Sequence, residues 1–140
     1  MMTTYALDSN TISYLIRGEG NVSVNFQNEI VIAKNFYAIP YVVAYEIRRW
    51  LEDRPTKQMI LFSNQFSVLF NVVAAKADIE STAWDIAIGI YIDLKQKGQL
   101  IGDADILIAA YCMSKNYTLV TRNERDFKRI ANLKFVNWFE

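Results

Sequence analysis

Apolar residues follow two spacings along this chain, one typical of strands and one typical of helices. The strand pattern predicts short extended segments at 4–8, 36–39, 69–73, 117–121 and 134–138. The helical pattern predicts helices at 9–17, 21–34, 41–53, 56–66, 78–96, 103–115 and 123–130. Because helices separate most of the strands, a mostly parallel sheet covered on both faces is expected. The sequence therefore predicts an α/β fold, a three-layer α/β/α sandwich.

Capping and turn-forming residues mark several of these boundaries. Ser9 or Asn10 is expected to cap the first helix, and Gly18 to end it. Pro40 closes the second strand, and the Arg54-Pro55 pair ends the long helix that follows it. Since no repeat, linker or low-complexity segment interrupts the pattern, residues 1–140 are expected to form one domain.

Composition is typical of a globular protein with a substantial core. The chain has 140 residues, 52% of them hydrophobic, and only 5 Gly and 2 Pro. No stretch approaches the roughly 18 apolar residues that a membrane span needs, and Asp8 interrupts any signal-peptide hydrophobic region. A cytoplasmic protein without membrane contact is expected. The one cysteine, Cys112, lies in an apolar setting and is expected to be a small core residue.

The absence of histidine restricts the available chemistry. Because the chain contains no histidine, it lacks the usual general base, all Ser-His and Cys-His nucleophile systems and most zinc sites. Acidic side chains must therefore carry any catalysis. Fifteen basic and fifteen acidic residues cancel, so the net charge gives no support for nucleic-acid binding. Two local basic clusters can neutralise phosphates or form solvated helix faces: Arg48, Arg49, Arg54 and Lys57, and Arg122, Arg125, Lys128 and Arg129.

Four acidic residues stand within apolar segments or at the boundaries of predicted elements: Asp8, Glu46, Asp105 and Asp126. The carboxyl ends of parallel strands share one edge of a sheet, so Asp8 and Asp126 are expected to meet there. Glu46 and Asp105 are expected to point inward from helices near the same edge. Carboxylate oxygens suit hard cations, which makes Mg²⁺ or Mn²⁺ the natural ligand if the four side chains converge.

Ordinary structural roles also explain the first two acids singly. Asp8 can cap the first helix, a role that Asp, Ser and Asn all favour. Glu46 can form a surface ion pair with Arg49, the basic residue three positions away on the same helix. Neither acid is therefore sufficient by itself to define a site.

The later acids leave two choices open. Asp103 and Asp105 both suit the start of a helix, but two positions on a helix diverge by about 200°, so only one should face a pocket. The apolar periodicity of the helix does not choose between them. Glu124 competes with Asp126 in the same way. The joint spacing of the acids is more informative than any one of them.

That joint spacing resembles the successive motifs of a PIN domain, particularly the VapC-type toxins, over essentially the whole chain. The matching motifs are Asp8-Ser-Asn, Glu46 after a strand, Gly102-x-x-Asp105-x-x-Ile-Ala-Ala, and Thr121-x-Asn123-x-x-Asp126-Phe127. The resemblance implies that Asp8, Glu46, Asp105 and Asp126 form a catalytic quartet that binds Mg²⁺ or Mn²⁺. It further implies polar supporting roles for Asn10, Asp103, Thr121 and Asn123. Contacts with the RNA backbone are assigned to Arg122, Arg125 and Arg129.

The activity that this resemblance implies is a hydrolytic endoribonuclease leaving 5′-phosphate and 3′-hydroxyl ends. Such toxins are usually neutralised by a cognate antitoxin protein, and they usually form homodimers. Two alternatives remain: a phosphatase similar to the haloacid dehalogenases, and a catalytically silent binding module. The phosphatase also begins with an Asp after a buried strand, but Asn10 stands where its second Asp is required.

Overall fold

The computed structural model describes residues 2–53, 56–72 and 81–140. The strands are β1 (Thr4–Leu7), β2 (Phe36–Ala38), β3 (Thr118–Val120) and β4 (Phe135–Val136). The helices are α1 (Ser9–Arg17), α2 (Val22–Phe26), α3 (Tyr41–Asp53), α4 (Lys57–Val72), α5 (Ser81–Gln96), α6 (Asp103–Lys115) and α7 (Glu124–Phe127). A π-helical segment, Gln27–Ile32, continues α2.

The four described strands form one parallel sheet in the order β2-β1-β3-β4. In its register Ala6 of β1 lies between Ala38 of β2 and Leu119 of β3. The predicted α/β/α architecture with a mostly parallel sheet is therefore confirmed. Because β2 and β3 lie on opposite sides of β1, the strand order reverses at β1, and the carboxyl ends of β1 and β3 border the crevice where open α/β sheets bind ligands.

The core lies between the sheet and the helices on its faces. Leu7 and Leu119 are fully buried in the sheet, and Ala109 and Cys112 are fully buried in α6. The prediction that Cys112 is a core residue is confirmed, and burial raises the pKa of its thiol far above the usual range. None of the described helices is long and apolar enough to cross a bilayer.

The extended segment predicted at 69–73 is wrong for its described residues, because α4 continues as a helix to Val72. Phe66 and Phe70, one turn apart, stack at 5.8 Å. The hydroxyl of Tyr37 donates to the Leu69 carbonyl at 2.8 Å. These contacts make the apolar run part of a packed helix. Residue 73, the start of the helix predicted at 78–96 and the Arg54-Pro55 pair lie outside the described residues.

Two other predicted helices change in form. The helix expected at 21–34 becomes α2 followed by the π-helical turn, in which the Ala33 amide donates to Asn28 at 2.9 Å. The helix expected at 123–130 is only the four residues of α7. By contrast, the bounds predicted for α3 and α6 match the structure.

Candidate active site

Asp8 lies directly after β1 and forms the N-cap of α1. Its amide donates to the Val120 carbonyl of β3 at 3.2 Å, and its carboxylate accepts from the Thr11 amide at 2.9 Å. The capping interpretation of Asp8 is therefore correct, and the expectation that Ser9 or Asn10 caps this helix is wrong. Capping is not the only interaction of this acid, since its carboxylate is also electrostatically coupled to Glu46.

The electrostatics of Asp8 are those of a buried acid with acidic neighbours. Its side chain is only 8% exposed. Burial raises its pKa, and the charge of Glu46 adds to the rise, while hydrogen bonds from Thr121 and Thr11 oppose it. Thr121, predicted as a supporting residue, therefore touches the first acid of the predicted quartet.

Glu46 approaches from α3, which follows β2 and is held to the core by the buried side chains of Val43 and Ile47. The half-buried Glu46 side chain accepts a hydrogen bond from the Ser9 hydroxyl at 2.7 Å. Arg49 does not supply the partner of a surface ion pair, because its guanidinium lies over the Tyr45 ring at 5.1 Å. Glu46 is thus held on the Asp8 side of α3.

Asp105 completes the approach from the first turn of α6. Burial, together with the charges of Glu46, Asp8 and Asp126, raises its pKa to about 6. These couplings place the four acids of the predicted quartet in one neighbourhood. Asp103 is exposed on the same helix. The helix geometry therefore turns Asp105 to the cluster and Asp103 to solvent.

Asp126 is positioned by the turn that follows β3. The Thr121 hydroxyl oxygen accepts from the Asn123 amide at 3.0 Å, and the Asn123 side chain donates to Asp126 at 3.0 Å. Glu124, the competing acid, is exposed and accepts from Asn137 at 3.0 Å. The turn therefore brings Asp126, and not Glu124, towards the other acids.

Two of the predicted RNA-contacting arginines border this acidic cluster. Arg125 Nε lies 3.7 Å and Arg129 Nη1 lies 3.8 Å from Asp126 Oδ1. Arg122 lies elsewhere: its guanidinium is 3.6 Å from the centre of the Phe139 ring and its Nε is 3.3 Å from Glu140. Arg122, which was also expected to contact the RNA backbone, is therefore already held by Phe139 and Glu140.

The first basic cluster is largely a solvated helix face. Arg48 forms an exposed pair with Glu52 at 3.2 Å, one turn away on α3. Arg54 lies outside the described residues, so the cluster is seen here only in part. Its described arginines are not directed at the acids.

Sequence reasoning overlooked three contributors to the site. Ser9 was considered only as a cap, yet it holds Glu46. The buried Thr11 hydroxyl donates to the Val120 carbonyl at 3.0 Å and ties α1 to β3. Arg17, at the end of α1, lies in a groove beside Glu46. The position of Ser9 directly after Asp8 was the one signal available in the sequence.

The donor chemistry of the cluster fits a hard divalent cation. The four carboxylates are electrostatically coupled, and among the described residues only Asp126 of these four forms salt bridges. In the described part of the chain, no three acidic or cysteine side chains are close enough to form a ready-made metal cage. The acids are therefore neighbours that need side-chain adjustment to share one ion.

Fold and site together define a class: a parallel α/β/α protein with an acidic cluster at the switch point of its sheet. The sequence model of the PIN domain matches residues 5–133, and the chain belongs to the PIN domain family. PIN domains are nuclease domains, and membership implies the use of a divalent metal ion.

Relatives and solved structures agree with this membership. Ribonuclease VapC2 of Rickettsia felis is 29% identical over 139 residues, which cover 96% of this chain and 97% of the relative. Ribonuclease VapC1 of Methanocaldococcus jannaschii is 34% identical over 93 residues, 66% of this chain and 63% of the relative.

Two solved complexes have the same fold. VapBC2 from Rickettsia felis, bound to a DNA fragment from its promoter, superposes with a TM-score of 0.81 at 29% identity, covering 97% of this chain and 99% of the other. DNA-bound VapBC from Salmonella typhimurium superposes with a TM-score of 0.78 at 22% identity, covering 98% and 99%.

Proposed function

We propose that this chain is a metal-dependent endoribonuclease and the toxin of a toxin-antitoxin pair. It hydrolyses RNA phosphodiester bonds and leaves 5′-phosphate and 3′-hydroxyl ends. The observation that carries the proposal is the position of the acids around the carboxyl end of β1. Ser9 donates to Glu46 at 2.7 Å, Asn123 donates to Asp126 at 3.0 Å, and the charges of the neighbouring acids contribute to the raised pKa of Asp105. Clusters of this kind in a cleft are typical of catalytic sites. The names of the VapC ribonuclease relatives support the same activity.

Asp8, Glu46, Asp105 and Asp126 are the residues that hold the cation, which is Mg²⁺ or Mn²⁺ in this proposal. All four supply carboxylate oxygens, the donors that both ions prefer, and the chain has no histidine to favour softer metals. When bound, the ion activates a water and stabilises charge on the phosphate and the leaving oxygen. Attack by water also explains how RNA is cut without a histidine base.

The remaining polar residues orient these acids. Thr11 and Thr121 fix the Asp8 carboxylate, Ser9 fixes Glu46, and Asn123 fixes Asp126. Hydrogen bonds to ligating carboxylates set their direction and are part of a working metal site. Asn10 lines the groove beside Glu46, and the exposed Asp103 keeps at most a peripheral role.

Arg125 and Arg129 are the arginines that contact the RNA backbone in this proposal. Arg125 is 82% exposed and 3.7 Å from Asp126, so its guanidinium can turn towards a phosphate. Arg129 is less mobile, because its Nη1 also donates to the Gln99 carbonyl at 3.3 Å. Arg122 contributes less, because Phe139 and Glu140 already hold it.

The proposed partner is an antitoxin protein, as in the VapBC complexes with this fold. An apolar groove of about 510 Å³ lies between α1, α2, β2 and α4 and offers a surface for it. A homodimer is also proposed, because α5 exposes a stripe of large apolar side chains: Trp84, Ile88, Tyr91 and Ile92. The reaction is placed in the cytoplasm, where RNA substrate is available.

Assays on RNA and on a small phosphomonoester separate the proposal from its rivals. Purified protein without antitoxin is incubated with RNA and with p-nitrophenyl phosphate, in Mg²⁺, in Mn²⁺ and in EDTA. The proposal expects metal-dependent RNA cleavage and no phosphomonoester hydrolysis. Hydrolysis of p-nitrophenyl phosphate without RNA cleavage supports the phosphatase, and neither activity supports the silent module.

A further inference from the structure

A groove of about 300 Å³ opens directly beside the acidic cluster, between α1, α3 and α4. Glu46 and Ser9, which are hydrogen-bonded to each other, form its end nearest the other acids. The side chains that matter for its chemistry are Asn10, Ser13, Arg17 and Trp50. The groove is thus continuous with the proposed catalytic site and combines polar, cationic and aromatic groups.

Arg17 carries a positive charge that no carboxylate of the described residues neutralises. Its guanidinium lies 5.5 Å from the Trp50 ring and 5.7 Å from the Phe62 ring. Within the described ranges, no acidic side chain forms a salt bridge with Arg17, although Arg125 and Arg129 near the cluster each contact Asp126. An exposed guanidinium held by aromatic rings in this way is suited to bind an anion from solvent.

Trp50 offers an aromatic surface in the same groove. Its side chain is 40% exposed, and its ring meets the buried Phe62 edge to face, with centroids 5.3 Å apart. Trp50 follows Glu46 by four residues on α3, a rise of about 6 Å along the same helix face. The indole is therefore fixed at about one helical turn from a proposed metal ligand.

An aromatic platform beside a cation is the combination with which proteins bind single-stranded nucleic acids. We propose that this groove holds the nucleotide next to the scissile phosphate of a single-stranded RNA. Trp50 stacks with its base and Arg17 binds its phosphate, while Asn10 and Ser13 face its sugar. This subsite rests on the proposed ribonuclease function. Stacking tolerates any base, so the subsite positions the strand and does not select a sequence.

The test uses the full chain and the variants Trp50→Ala and Arg17→Gln. Phe36→Ala removes another exposed aromatic side chain, on β2, and Arg48→Gln removes an arginine on the solvated face of α3. Steady-state cleavage of an RNA that the wild type cuts gives kcat and KM. In parallel, fluorescence anisotropy with labelled 12-mers of A, C or U gives Kd, and circular dichroism checks that each variant folds.

Each groove variant is expected to raise KM and Kd about tenfold, the effect of losing one stacked base or one phosphate contact, with kcat changed less than about threefold. Trp50→Phe and Arg17→Lys are expected to recover most of the affinity, which a purely structural defect does not predict. The two control variants remain near wild type. A fall in kcat alone overturns the subsite.

The outcomes also separate this inference from the nuclease proposal. Wild-type KM and Kd in folded Trp50→Ala and Arg17→Gln overturn the subsite while cleavage by the wild type leaves the nuclease intact. RNA binding that depends on both residues, in a protein that cuts no RNA, supports the subsite and overturns the nuclease. If the variants weaken only binding of a protein partner, the groove is a protein-docking surface and the subsite is wrong.

Discussion

At the scale of single residues, Asp103 and Asp105 test how the helix assigns roles to two similar acids. Asp105 is coupled to three other carboxylates, whereas Asp103 is exposed at the same helix end. Asp105→Asn is expected to lower kcat/KM at least about 100-fold, and Asp103→Asn less than about threefold, because only the first removes a charged ligand. Cleavage rates at saturating metal measure both. Equal losses from the two variants contradict the assignment of Asp105.

The raised pKa of Asp105 also predicts a dependence of stability on pH. Its pKa rises from 3.8 to about 6 on folding, so between these values the folded protein binds more protons than the unfolded chain. This contribution stabilises the fold at low pH and is lost as the pH rises through about 6. Asp8, whose pKa is also raised, acts in the same direction.

Above about pH 6 the half-buried Asp105 is ionised, which destabilises the folded protein. Asp105→Asn removes this charge and its cost. In EDTA at pH 7.5, the variant is expected to melt at a higher temperature than the wild type, and the difference should shrink at pH 5. Mg²⁺ or Mn²⁺ should raise the wild-type melting temperature more than that of the variant, since ligand binding stabilises the folded state. Melting followed by circular dichroism measures these changes. A lower melting temperature of Asp105→Asn than of the wild type in EDTA at pH 7.5 contradicts the claim that ionised Asp105 destabilises the fold.

At the scale of elements, the attachment of α1 to β3 determines where Asp8 lies. Thr11 is 3% exposed, and its hydroxyl donates to the Val120 carbonyl at 3.0 Å. Thr11→Val keeps the shape but removes this bond, which is expected to cost about 1–3 kcal/mol in the free energy of unfolding. Urea denaturation measures the loss, with Thr118→Val on β3 as the control. An unchanged free energy contradicts a structural role for this bond.

The sequence predicted best those elements that begin at strong local signals. Pro40 precedes α3 and Gly102 precedes α6, and both helices have their predicted bounds. The segment at 69–73 was mispredicted because its β-branched and aromatic residues favour strands locally. Its packing partner Tyr37 lies 32 positions away, so only the folded chain shows why helix is preferred.

The acids of the candidate site were also predictable from local signals in the sequence. Asp8 and Asp126 follow strands that end at one edge of the sheet, and their position in an apolar pattern is visible in the sequence. The contacts that orient them were not visible, since Ser9 and Glu46 are 37 positions apart. The groove of Arg17 and Trp50 was missed because it forms only when α1, α3 and α4 pack together.

At the scale of the whole molecule, a neutral chain carries strongly separated local charge. The acidic cluster lies at the switch point of the sheet, with Arg125 and Arg129 at its border and Arg17 in the adjoining groove. Because net charge is zero, long-range attraction of RNA is weak, and recognition depends on these local contacts. The groups that we propose to bind and cut RNA therefore lie at one edge of the protein.

The central claim is that this edge cuts RNA with a divalent metal. Total cellular RNA is incubated with the antitoxin-free protein and with Asp8→Asn, in Mg²⁺, in Mn²⁺ and in EDTA, and the new 5′ ends are sequenced. Asn retains the ability to cap α1, so the variant tests the charge of Asp8 more than the fold. Discrete cuts with 5′-phosphate ends, present only with metal and absent from Asp8→Asn, are expected. Equal cleavage by Asp8→Asn, cleavage in EDTA, or no cleavage in any metal contradicts the claim.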